Sequence, residues 1–405
     1  MIPFSPPRID QKIIDAVTET LKSGWITTGP RTRKFEQMLT DFCGHQSTLC
    51  VNSATAGLEL MLRWFGVGVG DEVIVPACTY AATANVVVHC GAKPVLVDCG
   101  KDFNISVKAI EDAITTKTKA IIPVDISGFP CDYDEIDQLV NRPNILKKFT
   151  PASGEQEMLN RILILSDAAH SLGAYYKGKR TGVLSDVTIF SFHAVKNLTT
   201  AEGGAICLNL PELFDFQKVY SDLRIKSLHG QSKDAFTKTE AGSWRYDITE
   251  AGYKYNMTDI QASIGIVELE RYDSDMLVRR RQIFDLYSSL LSHYSWAQLP
   301  EYQNADKTSS FHVYLLRISD ISEIQRDEII KAVYKREVAV NVHFVPLPMF
   351  SFYKGSGYKM EDYPVTYENY SREITLPVYY DLTDEQVHTV VGAVAESVRE
   401  VTRRI

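Results

Sequence analysis

The sequence predicts an α/β fold in which a mainly parallel sheet is flanked by helices, with a smaller α+β domain at the C-terminal end. The middle of the chain alternates short β-branched runs, bounded by Gly, Pro or Asp, with segments of helix length. After about residue 257 the pattern changes to long amphipathic helix. Alternating strands and helices imply βαβ units, whose strands run parallel.

Short apolar runs predict the strands of the first domain. They lie at residues 71–76, 93–98, 120–124, 162–166, 187–191 and 204–208. Helices fill most of the gaps between them, as at residues 55–65 and 83–90. Residues 141–161 are polar and contain Pro and Gly, so we expect them to form a surface insertion.

A second domain is predicted after a boundary near residue 257. We expect a large domain at residues 1–257, whose N-terminal segment can pack on the smaller domain, and a connecting helix with a small domain at residues 258–405. The pattern after the boundary predicts helix at 258–272, continuing through 279–281 and 287–291, strands at 312–318 and 338–342, and helices at 326–335 and 383–399.

Composition excludes several classes of function. The chain of 405 residues is 45% hydrophobic and 23% charged, which is typical of a globular enzyme. Its net charge of -8 argues against a nucleic-acid binder, which needs a basic surface. The N-terminus lacks the features of a signal peptide and no uncharged apolar run is long enough to span a membrane, so we expect a cytoplasmic protein without membrane attachment.

The seven cysteines are predicted to be reduced and mostly buried. They form an odd set without a CxxC pair, which fits neither a disulfide framework nor a zinc site, and no metal is expected. The set comprises Cys43, Cys50, Cys78, Cys90, Cys99, Cys131 and Cys207.

A lysine that follows a strand is the first candidate functional residue. Lys196 lies in the segment SFHAVKN, after the strand at residues 187–191 and before Gly203 and Gly204. Glycines let a ligand approach the backbone, so an amine that forms an imine can lie here. A solvated loop lysine is the ordinary alternative.

An acid at the end of another strand is the second candidate. Asp167 follows the strand at residues 162–166. Ligands collect at the carboxyl ends of parallel strands, and a carboxylate there can pair with a protonated pyridine nitrogen. His170 can contact the face or the hydroxyl of such a ring. A helix cap is the alternative role for Asp167, and a packed or surface side chain is the alternative for His170.

A small-residue turn is the third candidate. The segment NSATAGL at residues 52–58 opens a helix, and its free N–H groups and the Thr55 hydroxyl suit a phosphate. Tyr80, after the strand at residues 71–76, can stack on a planar ring. Taken singly, these features are also typical of an N-cap and a core tyrosine.

Together these residues closely resemble those of the DegT-type nucleotide-sugar aminotransferases, a branch of the fold-type I pyridoxal phosphate (PLP) enzymes. The resemblance covers nearly the whole chain, with its segments in the same order and at comparable spacing. They are residues 23–30, 52–57, 70–76, 117–124, 167–170, 191–197, 202–204 and 252–260. The resemblance implies the fold-type I architecture, with a seven-stranded sheet in the large domain.

The resemblance also implies a role for each candidate. Lys196 is the catalytic lysine, which holds PLP and later moves a proton. The other implied cofactor contacts are Asp167 at the pyridine nitrogen, Ala54, Thr55 and Ser191 at the phosphate, Tyr80 and His170 beside the ring, and Asn256 at the phosphate of the neighbouring subunit's cofactor. Thr28, Arg245 and His343 are implied substrate contacts. The role of Asn256 implies a homodimer with shared active sites.

The segments at residues 25–30, 190–197 and 252–260 are similar to those of the subgroup that aminates C4 of UDP-linked sugars, and His170 favours the same subgroup. We therefore expect a nucleotide-linked, UDP-type 4-keto-6-deoxy sugar as acceptor and L-glutamate as amino donor. Pyridoxamine phosphate and 2-oxoglutarate would form in the first half-reaction, and a 4-amino sugar for surface glycan or lipopolysaccharide in the second.

Other functions remain as alternatives. An aminotransferase for a 3-keto sugar or a cyclitol is the first, and a non-catalytic regulatory protein on the same fold is a weaker one. A nicotinamide-dependent epimerase or dehydratase would need a GxGxxG turn after its first strand, which the sequence lacks.

The sequence departs from the family pattern at three places. Ser166 stands where the family usually has Glu, and Asp125 stands where several relatives have His. Residues 141–161 exceed the usual connector. We expect access to the site to differ locally, and the pattern assigns no role to Asp125.

Overall fold

The computed structural model describes residues 1–232 and 246–403. The strands, in chain order, are β1 (Ser47–Val51), β2 (Glu72–Pro76), β3 (Lys93–Val97), β4 (Thr118–Ile121), β5 (Leu163–Asp167), β6 (Tyr175–Tyr176), β7 (Lys179–Arg180), β8 (Val187–Ser191), β9 (Gly204–Leu208), β10 (Ala297–Gln298), β11 (Lys307–Thr308), β12 (Tyr314–Ile318) and β13 (Glu373–Leu376). The helices are α1 (Gln11–Ser23), α2 (Pro30–Cys43), α3 (Ala54–Trp64), α4 (Ala82–His89), α5 (Val107–Ala113), α6 (Tyr133–Val140), α7 (Pro143–Leu146), α8 (Gly154–Leu159), α9 (Phe216–Ser227), α10 (Asp259–Glu270), α11 (Leu277–Leu291), α12 (Glu323–Lys335), α13 (Ser351–Gly355), α14 (Pro364–Tyr370) and α15 (Asp384–Thr402).

The large sheet has seven strands in the order β1-β9-β8-β5-β4-β2-β3. Strands β3, β2, β4, β5 and β8 pair in parallel, whereas β9 pairs antiparallel with both β8 and β1. The predicted α/β fold with a mainly parallel seven-stranded sheet is therefore confirmed. Every strand predicted for the first domain is present, while β1 was not predicted.

Helices cover both faces of this sheet. Since neighbouring residues of a strand point to opposite sides, one strand can contribute side chains to an apolar cluster on each face. Ile189 and Ile206 lie in one apolar cluster with Leu58 of α3. Phe190, next to Ile189, lies in a second cluster with Phe35 of α2 and with Ala262 and Ile266 of α10. The central strands are thus buried on both faces, which explains their continuous apolar runs.

The C-terminal part forms an antiparallel sheet of order β10-β12-β13, with helices packed on it. Its core contains Ile283 of α11, Tyr314 of β12, Ile329 of α12 and Val390 of α15. The predicted small α+β fold is present. The predicted domain boundary at residue 257 stays a prediction. Helix α10, which follows that residue, packs on α1 and α2, and the residues of the C-terminal core begin in α11.

The N-terminal segment contacts the C-terminal part. The N–H of Ile2 donates to the Glu337 carbonyl at 2.7 Å, and the Ile2 side chain packs on the C-terminal core. Further along, the guanidinium of Arg8 lies 3.8 Å from the ring centroid of Tyr380. Between these anchors, the Ser5 hydroxyl donates to the Val195 carbonyl at 3.3 Å, in the loop between β8 and β9 of the large sheet.

Two local predictions differ from the structure. Residues 338–342 do not form a strand, since Val338 and Asn341 make only isolated bridges, to Ile2 and Thr375. The insertion at residues 141–161 contains α7 and α8 and is not confined to the surface. It packs on the large core through the buried side chains of Ile145, Phe149 and Leu159. The polar composition of the insertion concealed these apolar positions.

All seven cysteines are buried, as predicted. Within residues 1–232 and 246–403, no helix has the length and apolarity needed to cross a bilayer. The cytoplasmic location stays a prediction.

Candidate active site

A cavity of about 430 Å³ lies at the carboxyl ends of the parallel strands. Asp167 ends β5, Ser191 ends β8, and Lys196 lies in the loop between β8 and β9. Such a position is where ligands bind in open α/β sheets, and the volume is typical of small-molecule sites. The predicted residues in its wall are Ala54, Thr55, Tyr80, Asp167, His170, Ser191, Lys196 and His343.

Lys196 lies in a tight turn that is fixed from both sides. Its N–H donates to the His193 carbonyl at 2.9 Å. The side-chain amide of Asn197, the next residue, donates to the Ser310 carbonyl at 2.7 Å. Desolvation lowers the pKa of Lys196 to about 8, although the charge of Asp167 opposes this change. A larger fraction of this amine is therefore neutral and nucleophilic near neutral pH than of an ordinary lysine.

We expect loading of the protein with PLP to report this lowered pKa. An amine reacts only when neutral, so the rate should rise with pH and level off above about pH 8. The measurement is the rate of the absorbance change after PLP is added to cofactor-free protein between about pH 6 and pH 10. Free lysine under the same conditions is the control, and a protein rate that keeps rising with the free amine up to pH 10 would contradict the shift.

Asp167 is a buried carboxylate with its own hydrogen-bond donors. The hydroxyl of Thr83, on α4, donates to Oδ2 at 2.8 Å, and the N–H of Ala169 donates to Oδ1 at 3.2 Å. Burial raises the pKa of Asp167, while these donors and Lys196 act in the opposite direction. A cationic partner in the cavity would stabilise the ionised form of Asp167.

The N-terminus of α3 provides an anion site. Ser53 is the N-cap, and its hydroxyl accepts from the N–H of Ala56 at 3.1 Å. The N–H groups of Ala54 and Thr55, in the first turn, have no carbonyl partner within the helix. Gly204 of β9 lets the turn lie close to the sheet, since a Cβ on it would be 2.6 Å from the Ala54 nitrogen and 2.9 Å from the Phe190 oxygen.

Gly204→Ala is expected to lower the free energy of unfolding by about 2–3 kcal/mol, because both clashes are with backbone atoms that cannot rotate away. Gly57→Ala is the matched control. A Cβ there meets the Ile189 side chain at 3.1 Å, and the gain in helix propensity of about 1 kcal/mol offsets the crowding. Urea unfolding of both variants measures the difference. Equal stabilities would show that the contact at Gly204 relaxes without cost.

His170 forms a flat, uncharged part of the wall. Its ring stacks on Phe344 at 5.7 Å and lies 4.3 Å from the ring of His312. Burial and the nearby Lys196 hold the pKa of His170 well below its usual value. Its buried Nδ1 has no hydrogen-bond partner among the described residues. Such an atom costs about 1–3 kcal/mol, which a ligand with a suitable polar group recovers.

Several wall residues were missed by the sequence analysis. His312 lies behind His170, and its Nδ1 is 2.8 Å from Oδ1 of Asn197. Phe4 and Ser5 of the N-terminal segment also line the cavity. Each reaches the site from a distant part of the sequence, so no local pattern could have identified it.

Two predicted residues lie outside the wall of this cavity. Thr28 and Asn256 are not in the wall of this cavity, but they contact each other, with the Asn256 amide donating to the Thr28 hydroxyl at 2.7 Å. Arg245 lies outside the described residues. The roles of all three stay predictions.

The departures at positions 125 and 166 belong to one buried cluster. The hydroxyl of Tyr133 donates to Asp125 at 2.9 Å and lies 2.5 Å from the hydroxyl of Ser166. Asp125 also accepts from the Ser171 hydroxyl at 2.6 Å. The cluster holds Ser166 and Ser171, which stand on either side of Asp167 and His170 in the chain, so Asp125 has a structural role beside the cavity.

The residues present fit PLP. The start of α3 and Ser191 suit a phosphate, Asp167 suits a protonated ring nitrogen, and Lys196 suits an aldehyde. His170 offers a ring face and a buried nitrogen without a partner. The cavity thus has an anion site, an acid and an amine around a flat wall.

Comparison with known proteins identifies relatives over almost the whole chain. The sequence model of the DegT/DnrJ/EryC1/StrS aminotransferase family matches residues 7–147 and 155–395, and its gap falls within the 141–161 insertion. The uncharacterised protein MJ1066 of Methanocaldococcus jannaschii is 41% identical over 98% of this chain and 98% of its own length. The spore coat polysaccharide biosynthesis protein SpsC of Bacillus subtilis is 36% identical over 98% and 97% of the two chains.

A solved structure is similar over nearly the same length of this chain. Spr1654 of Streptococcus pneumoniae, assigned as a sugar aminotransferase, superposes in its PMP form with a TM-score of 0.95 at 46% identity, covering 99% of this chain and 100% of that chain. Its PLP form superposes with a TM-score of 0.94.

Proposed function

Because the chain belongs to the DegT/DnrJ/EryC1/StrS aminotransferase family, we propose that it transfers the amino group of L-glutamate to a nucleotide-linked 4-keto-6-deoxy sugar. The protein is a PLP-dependent aminotransferase. The observation that carries the proposal is that Lys196, whose pKa is lowered to about 8, shares one cavity with Asp167. This chemistry requires an uncharged amine that can attack an aldehyde and an ionised acid that can pair with a protonated ring nitrogen.

When bound, PLP supplies an aldehyde that takes up the amino group and a ring that accepts carbanion charge. In our proposal Lys196 would hold the aldehyde through Nζ and, as a free amine, would take the proton from the substrate carbon and return it. Asp167 holds a proton on the ring nitrogen, which keeps the ring electron-poor. His170, in the cavity wall, would exclude water from one side of the bound group. Because donor and acceptor use the same site in turn, ping-pong kinetics are expected.

The names of two relatives support a sugar as acceptor. SpsC is named for spore coat polysaccharide biosynthesis, and Spr1654 is assigned as a sugar aminotransferase. The preference for UDP and for C4 rests on the resemblance of residues 25–30, 190–197 and 252–260 to the UDP-sugar 4-aminotransferases and on His170. A 3-keto sugar or a cyclitol is the alternative acceptor. We propose His343 as a substrate contact because it lines the cavity.

We further propose a homodimer with shared active sites. The pair of Thr28 and Asn256 lies outside the wall of the cavity in its own chain, which agrees with the role at the partner's cofactor that the family resemblance implies for Asn256. Tyr80, in the cavity wall, is 65% exposed in the single chain, as expected for a residue that a second subunit covers. Sedimentation equilibrium of the PLP-loaded protein tests this arrangement.

The acceptor is tested by incubating the PLP-loaded protein with L-glutamate and a UDP-linked 4-keto-6-deoxy sugar. Formation of 2-oxoglutarate together with a UDP-linked 4-amino sugar, located by mass spectrometry and NMR, is the expected result. A matched UDP-linked 3-keto sugar is the control. Turnover of only the 3-keto sugar would replace the proposed acceptor with the alternative.

A further inference from the structure

A buried carboxylate outside the cavity is linked to it by a chain of hydrogen bonds. Glu373, on β13, is only 1% exposed, and its Oε2 accepts from the N–H of His343 at 3.1 Å. Its Oε1 lies 2.5 Å from the hydroxyl of Thr375. The same hydroxyl lies 2.9 Å from Nδ1 of His343, whose ring lines the cavity. Glu373, Thr375 and His343 therefore form a relay from the core to the cavity.

The direction of the relay depends on the proton of Glu373. A hydroxyl has a single hydrogen to donate. If Glu373 is ionised, Thr375 donates to it and accepts from Nδ1–H of His343, so Nε2 carries no proton. If Glu373 is protonated, it donates to Thr375, which then donates to Nδ1 of His343, and the ring proton lies on Nε2. Nδ1 is occupied in both cases, so Nε2 is the nitrogen available to a ligand.

The surroundings of Glu373 favour its protonated form. Two arginines face Glu373, Arg317 of β12 and Arg326 of α12. Arg326 donates to the main-chain oxygens of Tyr370 and Glu373, and Arg317 donates to the side chain of Asn369, so these hydrogen bonds do not go to the carboxylate. The thiol of Cys78 also lies near Glu373, and burial raises its own pKa. Burial dominates and raises the pKa of Glu373 to about 8, with Thr375, the N–H of His343 and the two arginines acting in the opposite direction.

His343 itself stays uncharged, so only its tautomer can vary. It contacts Phe4, Phe344 and His170. Burial and the nearby Lys196 lower the pKa of His343 to about 3. Near neutral pH the ring therefore has one proton, whose position is set by the relay.

We propose that protonated Glu373 is a positioning residue that acts through Thr375 to hold His343 as its Nε2–H tautomer, so that the cavity presents a hydrogen-bond donor to an acceptor oxygen of the substrate. This inference rests on the proposed function. The ketone of the acceptor sugar and the carboxylates of L-glutamate only accept hydrogen bonds. A bare Nε2 would repel both, whereas an Nε2–H group binds either.

Glu373→Gln tests the relay because glutamine mimics the protonated acid. Its amide oxygen can accept from the N–H of His343 while its NH₂ group donates to Thr375. Histidine ¹⁵N shifts of the full chain, labelled at histidine and free of cofactor, report the tautomer without any substrate. The native protein should change from Nε2–H to Nδ1–H as pH rises through about 8, and Glu373→Gln should keep Nε2–H throughout. A native ring that carries its proton on Nδ1 at about pH 6, or a change with pH in Glu373→Gln identical to that in the native protein, overturns the proposal.

Thr375→Val serves as a second variant, since it keeps the shape but removes the bridging hydroxyl. Its His343 tautomer should no longer depend on pH, and Thr375→Ser should restore the native dependence. A change with pH that persists in Thr375→Val overturns the relay even if Glu373→Gln does not fold.

The kinetic consequence is measured with L-glutamate as the probe, from the bleaching of the bound PLP absorbance. Other titrating groups of the site are common to both proteins, so the informative quantity is the ratio of kcat/KM in Glu373→Gln to that in the native protein. The ratio should be flat below about pH 7 and rise about tenfold per pH unit above about pH 8. A flat ratio at all pH values overturns the proposal. If neither protein reacts with L-glutamate, the proposed donor fails, and the NMR measurement still decides the relay.

Discussion

Lys196→Ala is expected to lower kcat/KM for L-glutamate by about 10⁴-fold or more. Proton transfer by a positioned side chain alone contributes about 10²–10⁴-fold, and Lys196 also supplies the amine that binds the cofactor aldehyde. No other lysine of the described residues lines the cavity, so no neighbour can replace it. The assay follows 2-oxoglutarate formation in PLP-loaded protein at fixed pH.

Lys335→Ala is the matched control for this change. Lys335 lies at the exposed C-terminal end of α12 and is not in the cavity wall, and its loss should leave the activity unchanged. Circular dichroism of both variants checks that they fold. Lys196→Ala protein that keeps more than a hundredth of the native activity would show that another group carries the chemistry.

Asp167→Asn is expected to lower kcat/KM by about 10²–10³-fold, the size of effect seen when one electrostatic partner of developing charge is removed. Asparagine preserves the shape of the side chain and can still accept from Thr83. It carries no charge, however, and cannot stabilise a proton on the ring nitrogen. Asp381→Asn, at an exposed position, is the control and should behave as native protein. A loss below tenfold in Asp167→Asn would remove this residue from the proposed mechanism.

The absorbance of bound PLP gives a second measurement on Asp167→Asn. The variant should still bind the cofactor, since Lys196 and the start of α3 are intact, although with lower affinity. If binding is lost entirely while the fold is retained, Asp167 is needed to hold the cofactor and its electronic role cannot be separated from binding.

Local sequence patterns predicted the residues that lie at strand ends. Asp167 and Ser191 follow apolar runs that became β5 and β8, and parallel strands place their carboxyl ends at one edge of the sheet. The fold class, six of the seven strands and the candidate cavity could therefore be predicted from residues that are near one another in sequence, whereas the count of seven strands came from the family resemblance.

Residues that reach the site through long-range contacts could not be predicted in this way. Thr83 lies 84 positions from Asp167 in sequence, and Glu373 lies 30 positions from His343. The edge strand β1 was also missed. It begins with Ser47 and Thr48 and, among the described strands, pairs with β9, a partner that no local pattern specifies. Conversely, residues 338–342 have a strand-like pattern but lack a continuous partner strand, so they form only isolated bridges.

The central claim, that Lys196 binds the cofactor, is tested most directly by reducing the PLP-loaded protein with borohydride and mapping its peptides by mass spectrometry. Reduction makes the bond between the lysine amine and the cofactor aldehyde permanent. We predict that the modification is found on Lys196 alone and is prevented by prior incubation with L-glutamate. Modification of a different lysine, or of none, would contradict the assignment of the active site.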